Sequence, residues 1–151
     1  MKNIIRIMIL AAALCAAASC KKAPETSTAI VAEWHLVEMT GVEHSALPQV
    51  YIEFKADYSF ELYQKVGQGR FRKYDGTYAV AETIVTGKYN DGEDWGSGYV
   101  ASFEGDGEIL VMTAENGSGE VCKYEKSSLD QAEKDKAYVM TKSADSVERF
   151  L

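Results

Sequence analysis

The side chains that could do chemistry are few. The chain has two histidines, three cysteines and a surplus of carboxylates. His35 has Glu33 and Glu38 near it in sequence and His44 has Glu43, but neither shows the His-Glu-x-x-His spacing that holds Zn²⁺. Asp91, Glu93 and Asp94 crowd one turn without the ordered acidic positions and closing Glu of a Ca²⁺ loop. The chain contains no Gly-x-Ser-x-Gly, no phosphate-cradling Gly-Lys-Ser/Thr and no dinucleotide fingerprint. Carboxylate pairs occur throughout so acidic a chain and single out none. Cys122, in the run Glu120-Val121-Cys122-Lys123-Tyr124, is expected as a small buried hydrophobe. A nucleophile would need a base and an electropositive site. The expectation is therefore no catalytic residue, no cofactor and no metal, and a non-enzyme.

Cys20 is the exception. Met1-Lys2-Asn3-Ile4-Ile5-Arg6 is basic, residues 7–18 are continuously apolar, and Ala17, Ala18 and Ser19 are small. That is the build of a secretory leader. Its apolar run, about a dozen residues, falls short of the roughly 20 that span a bilayer. Ala17-Ala18-Ser19-Cys20 resembles the lipobox of bacterial lipoproteins, which implies cleavage before Cys20 and acylation of its thiol. Residues 1–19 are thus expected as signal peptide, and residues 20–29, with Lys21-Lys22 and Pro24, as lipidated Cys and flexible tether. Cys15 would leave with the leader and Cys20 be taken by lipid, so Cys122 has no disulfide partner. The expected location is the envelope of a Gram-negative-type bacterium, on the outer membrane.

Sixteen Lys and Arg face 23 Asp and Glu, a formal charge of −7. Without Lys2 and Arg6 the count is 14 against 23, or −9. That balance speaks against nucleic acid as a partner and against docking on anionic head groups. Nine Tyr, five Phe and two Trp beside only two Pro favour strands.

Those strands can be placed by alternation. Val50, Ile52 and Phe54 alternate with Tyr51, Glu53 and Lys55. After Ala56-Asp57, Tyr58, Phe60 and Leu62 alternate with Ser59, Glu61 and Tyr63. Two such runs make a hairpin with one apolar face. The pattern continues over residues 30–37, 70–80, 83–89, 99–103, 108–113 and 120–125, with turn signals between them. Eight strands with short connections predict an antiparallel up-and-down meander, closed into a barrel that leaves no edge. The barrel is expected over residues 30–126, with a helix and tail packing on it over 127–151. Ser128-Leu129-Asp130-Gln131 fits a capping box for that helix, whose apolar stripe of Leu129, Ala132, Ala137 and Met140 reaches residues that fit a short ninth strand, 138–141, instead.

Trp34 in the first strand, the run Tyr74-Asp75-Gly76-Thr77-Tyr78, the run Gly87-Lys88-Tyr89-Asn90-Asp91-Gly92, Trp95 and the tail Arg149-Phe150-Leu151 resemble the bacterial lipocalin-like lipoproteins. The resemblance covers roughly residues 30–126. It implies a calycin-type barrel on a lipidated tether and implies no reaction. Ala32 and Glu33 stand where true lipocalins carry Gly-x before this Trp.

An eight-stranded barrel either holds one small ligand or is filled by its own side chains. Trp34, Phe54, Phe60, Tyr78, Tyr99 and Phe103 are the expected aromatic walls for a small apolar or amphipathic ligand. Arg72 shares the parity of Tyr74 and Tyr78 and is placed near the mouth, where a guanidinium suits a carboxylate. A bulge at Asp75-Gly76 would instead turn it to solvent. If the barrel is filled, its loops would serve a protein partner, as an inhibitor or an accessory subunit of an envelope complex. Trp95 is then either a lid over the barrel or an exposed anchor for that partner.

Overall fold

The computed structural model describes residues 25–140 and 148–151, so the expected signal peptide and Cys20 lie outside the described residues. In chain order come a helical turn α1 (Thr26–Ala29), β1 (Glu33–Met39), β2 (Gln49–Phe54), β3 (Ser59–Lys65), β4 (Arg72–Ala81), β5 (Ile84–Tyr89), β6 (Tyr99–Glu104), β7 (Ile109–Ala114), β8 (Val121–Lys126), α2 (Gln131–Lys136) and β9 (Tyr138–Val139). Strands β1 to β8 pair in sequence order, and β8 returns to β1. Every pairing in this ring is antiparallel. The expected closed eight-stranded meander is the observed fold. The short ninth strand exists too, but it runs parallel to β4 and outside the ring, with Arg72 opposite Tyr138 and Lys73 opposite Val139.

The alternation read from sequence sets the two faces. Val50, Ile52, Phe54, Phe60 and Leu62 point inward and are essentially inaccessible. Most boundaries lie within a residue or two of expectation, and four differences have a local cause. The first strand begins at Glu33, not at residue 30. Residues 26–29 wind into α1 and bring Ile30 into the core, fixed by the Trp34 indole N–H, which donates to the Ile30 carbonyl at 2.8 Å. Tyr58 lies in the β2–β3 turn at φ +63°, because the Asp57 carboxylate accepts from the Ser59 N–H and hydroxyl and tightens that turn. Arg70 and Phe71 precede β4 rather than open it. Finally, Asp130 and not Ser128 caps α2, its carboxylate accepting from the Ala132 N–H at 2.7 Å.

Gly76 explains one of the resemblance motifs. A Cβ there would stand 2.0 Å from the Lys88 carbonyl oxygen and 2.8 Å from the Tyr89 Cα. Only glycine lets β5 approach β4 this closely.

Outside the ring, Leu129 covers Tyr63 and Phe71 in a second small core. A polar belt surrounds it. Lys134 bridges Glu33 (2.9 Å) and Glu53 (3.5 Å), and Glu61 receives Lys73 (2.9 Å), Lys55 (3.0 Å) and the Tyr63 hydroxyl (2.7 Å). Partial burial opposes the charge of Glu61, but Lys73, Tyr63 and Lys55 overcome it and hold its carboxyl down to about 2. The resulting stability is present above the ordinary carboxyl range and is lost as pH falls toward about 2. Glu61→Gln is therefore expected to lower the melting temperature at pH 6, and the gap to wild type should narrow as pH falls to about 3. A gap that stays constant between those pH values would show that Glu61 is not ionised by its partners.

Candidate functional site

The axis of the barrel is occupied by aromatic rings that touch one another. Phe54 meets Tyr78 at 5.0 Å between centroids, Phe60 meets Trp95 at 5.1 Å and Tyr89 at 5.6 Å, Trp95 meets Tyr99 at 6.2 Å, and Tyr74 meets Tyr89 at 6.0 Å. Nearly all are edge-on, the arrangement that aromatic pairs favour. Five of the six residues expected to wall a ligand site, Trp34, Phe54, Phe60, Tyr78 and Tyr99, are brought together here, each buried. Phe103 is half-buried and leans on Trp34 at 6.1 Å. Tyr99 and Cys122 are pushed up to about 12 by burial, and burial raises Tyr124 as well. The interior is neutral.

Trp95 is neither exposed nor a loose lid. It sits 6% exposed, inside the wall. Strands β5 and β6 pair at only two positions, Ile84 with Val100 and Val85 with Tyr99. Beyond Val85 they part, and residues 94 and 95 take β6's place: the Trp95 N–H donates to the Gly87 carbonyl at 2.9 Å, and Lys88 bridges Asp94. The indole then lies over Gly87, where a Cβ would come 2.1 Å from the ring. This explains the glycine of the second resemblance motif. The Trp95 indole N–H is buried without a partner.

Residues 148–151 close one end of the barrel. Gln64, 3% exposed, donates from Nε2 to the Glu148 carbonyl (2.9 Å) and accepts the Phe150 N–H at Oε1 (3.0 Å). The Tyr89 hydroxyl donates to the Leu151 carbonyl at 2.9 Å, and Leu151 is itself buried in the core. Arg149 makes a forked pair with Asp91, reaches Glu93 at 3.4 Å and lies over the Tyr89 ring at 4.4 Å. Asp91 and Glu93 of the acidic turn are thus answered by the chain's own guanidinium, and Asp94 by Lys88. Sequence reasoning missed Gln64, although continuing the Phe60, Leu62 alternation one step would have pointed it inward.

Arg72 keeps its parity. The β3–β4 register runs unbroken from Ser59 opposite Thr77 to Gln64 opposite Arg72, so no bulge turns it away. It stands at the rim, half-buried, and lines an open cleft of about 820 Å³ between the β3–β4 connection and β9. Lys65, Val66, Arg70, Tyr138 and Val139 line the same cleft. His35 stacks on Tyr51 at 4.3 Å, and burial lowers its pKa against the pull of Glu125. Among the described residues no three His, Cys, Asp or Glu side chains gather as a metal site.

A ring of eight antiparallel strands opening on a buried Trp is the architecture that the resemblance implied, and the lipocalin-like domain model matches residues 30–107. The chain belongs to the lipocalin-like domain family. No curated protein and no solved structure matches it. The lipocalin-like match takes in β1 through β6, so the strands that shut the ring, β7 and β8, and the segment 148–151 all lie beyond it. The lipocalin-like fold suits the binding of small ligands in general.

Proposed function

We propose that this is a lipid-anchored envelope protein whose barrel is a rigid scaffold for one small amphipathic molecule, held at the rim beside Arg72. The observation that carries this reading is the placement of space. The axis is filled by the protein's own rings, whereas the cleft at the rim, about 820 Å³, is of the size small-molecule sites have. Trp34, Phe54, Phe60, Tyr78, Tyr99 and Phe103 then keep the scaffold rigid, and Arg72 meets the ligand. Native mass spectrometry and lipid extraction of protein purified without residues 1–19 test it. A co-purifying small molecule, absent from Arg72→Ala, is expected.

The filled axis also favours a second reading, a protein-interaction module presenting the loops at residues 40–48 and 90–98 to an envelope partner. A domain that is empty in every preparation, and takes up no amphiphile when offered one, would leave that second reading.

The anchor rests on Ala17-Ala18-Ser19-Cys20. Each buried CH₂ contributes about 0.8 kcal/mol, so several acyl chains hold far more firmly than one. Cys20→Ala should move the protein from the membrane to the soluble fraction. Retention of Cys20→Ala in the membrane fraction would end the lipidation reading.

A further inference from the structure

Charge is distributed unevenly on this acidic molecule. The described residues hold eleven Lys and Arg side chains. Eight of them, Lys55, Lys73, Lys88, Lys123, Lys126, Lys134, Lys136 and Arg149, stand within 3.6 Å of a carboxylate. The other three, Lys65, Arg70 and Arg72, form no ion pair among the described residues, and all three line the rim cleft. No described carboxylate lines it with them. Where the described residues hold 22 Asp and Glu against eleven Lys and Arg, leaving these three without a described carboxylate in one place is selective.

The apolar surface is uneven in the same place. Among the described residues Val66, Val139 and Tyr138, at 71%, 62% and 55% exposure, are the most exposed large hydrophobic side chains, and all three line this cleft. An exposed apolar group rimmed by polar ones marks a binding site more often than chance exposure does. The cations are also held in place. Arg70 lies over the Tyr138 ring at 5.1 Å and Lys65 over the Phe71 ring at 4.7 Å. A ring positions a cation without neutralising it.

We infer that the cleft binds a single-chain amphiphile with an oxyanion head, a carboxylate or a phosphate monoester, its head on Arg70, Arg72 and Lys65 and its chain on Val66, Tyr138 and Val139. This rests on the small-molecule reading above and names the ligand's chemistry. Guanidinium groups pair with such oxyanions through two parallel hydrogen bonds, which gives direction as well as charge. The molecule's overall negative charge argues against a sheet of anionic lipid and in favour of one dissolved molecule, whose single charge the local cations can outweigh.

The test is calorimetric titration of protein lacking residues 1–19 with decanoate, decyl phosphate and decanol below their micellar concentrations, and with inorganic phosphate. Both anionic amphiphiles should bind, with decanol and inorganic phosphate at least tenfold weaker. Arg70→Ala/Arg72→Ala should weaken the anions at least tenfold and leave decanol unchanged, and Lys88→Ala, a cation paired elsewhere, should change nothing. Decanol binding as tightly as decanoate in both wild type and the double variant would overturn the oxyanion assignment while leaving the small-molecule reading standing. Binding of none of the amphiphiles would overturn both. Sedimentation with anionic phospholipid vesicles, without binding of the dissolved amphiphiles, would overturn the inference in favour of a membrane surface. Should the double variant melt lower than wild type, Lys65→Ala, at the end of β3, gives the same readout through a smaller loss.

Discussion

Replacing Trp95 by alanine will lower the free energy of unfolding by about 3–5 kcal/mol, the range for a buried aromatic truncated to a methyl group. The ring touches Phe54, Phe60 and Tyr99, which come from three different strands. It also stands in the seam where β5 and β6 have only two paired positions. Its loss therefore removes packing and opens the wall together. Gly87→Ala should act almost as strongly through the opposite device, because the new methyl would fall 2.1 Å from the indole and push it out. Trp95→Phe separates packing from polarity. Phenylalanine lacks the buried, unpartnered indole N–H, so it offsets part of its volume loss by removing an unpaired donor and should cost clearly less than alanine. Urea unfolding followed by far-ultraviolet circular dichroism measures all three. A Trp95→Ala midpoint equal to wild type would mean the indole fills no structural gap.

The second large effect is expected where residues 148–151 meet the barrel. Gln64→Leu keeps the side chain's bulk but leaves the Glu148 carbonyl and the Phe150 N–H without their partner. Both bonds are part-buried, so the loss should be about 1–3 kcal/mol for the two together. Leu151→Ala removes a buried side chain and should cost about 2–5 kcal/mol. The two act on one short segment, so their effects should not add. Both variants should also bind an apolar dye more strongly than wild type, since releasing residues 148–151 bares the rings of Tyr74 and Tyr89. Additive losses without dye binding would show that the segment does not close the barrel.

Most of the barrel could be deduced from the chain. Phe54, Phe60, Leu62 and Tyr78 declare their inward face by alternation alone, because a strand has a period of two and any slip would turn every one of them to water. The motifs at residues 74–78 and 87–92 with Trp95 carried the resemblance, and two of their glycines, Gly76 and Gly87, prove to be positions where backbone or indole lies too close for a Cβ. The parity of Arg72 was also legible, and with it the rim. A further signal stood unread: residues 65–73 hold Lys65, Arg70, Arg72 and Lys73 with no acid among them.

What alternation could not decide is what fills the space it defines. An inward Phe lines a cavity or occupies it according to what reaches it from the other side. That depends on Trp95, from a Gly-rich loop with no period, and on Leu151, 62 residues from the Tyr89 hydroxyl that donates to it. Neither contact has a local signature, because each is made by tertiary closure rather than by the strand that receives it. The same holds for charge. Composition gives the excess of acids, but only the folded register shows that, among the described residues, eight cations are answered by carboxylates while Lys65, Arg70 and Arg72 are not. Ion pairing joins residues distant in sequence, such as Arg149 with Asp91, and the sequence by itself sets the number of charges but not their partners.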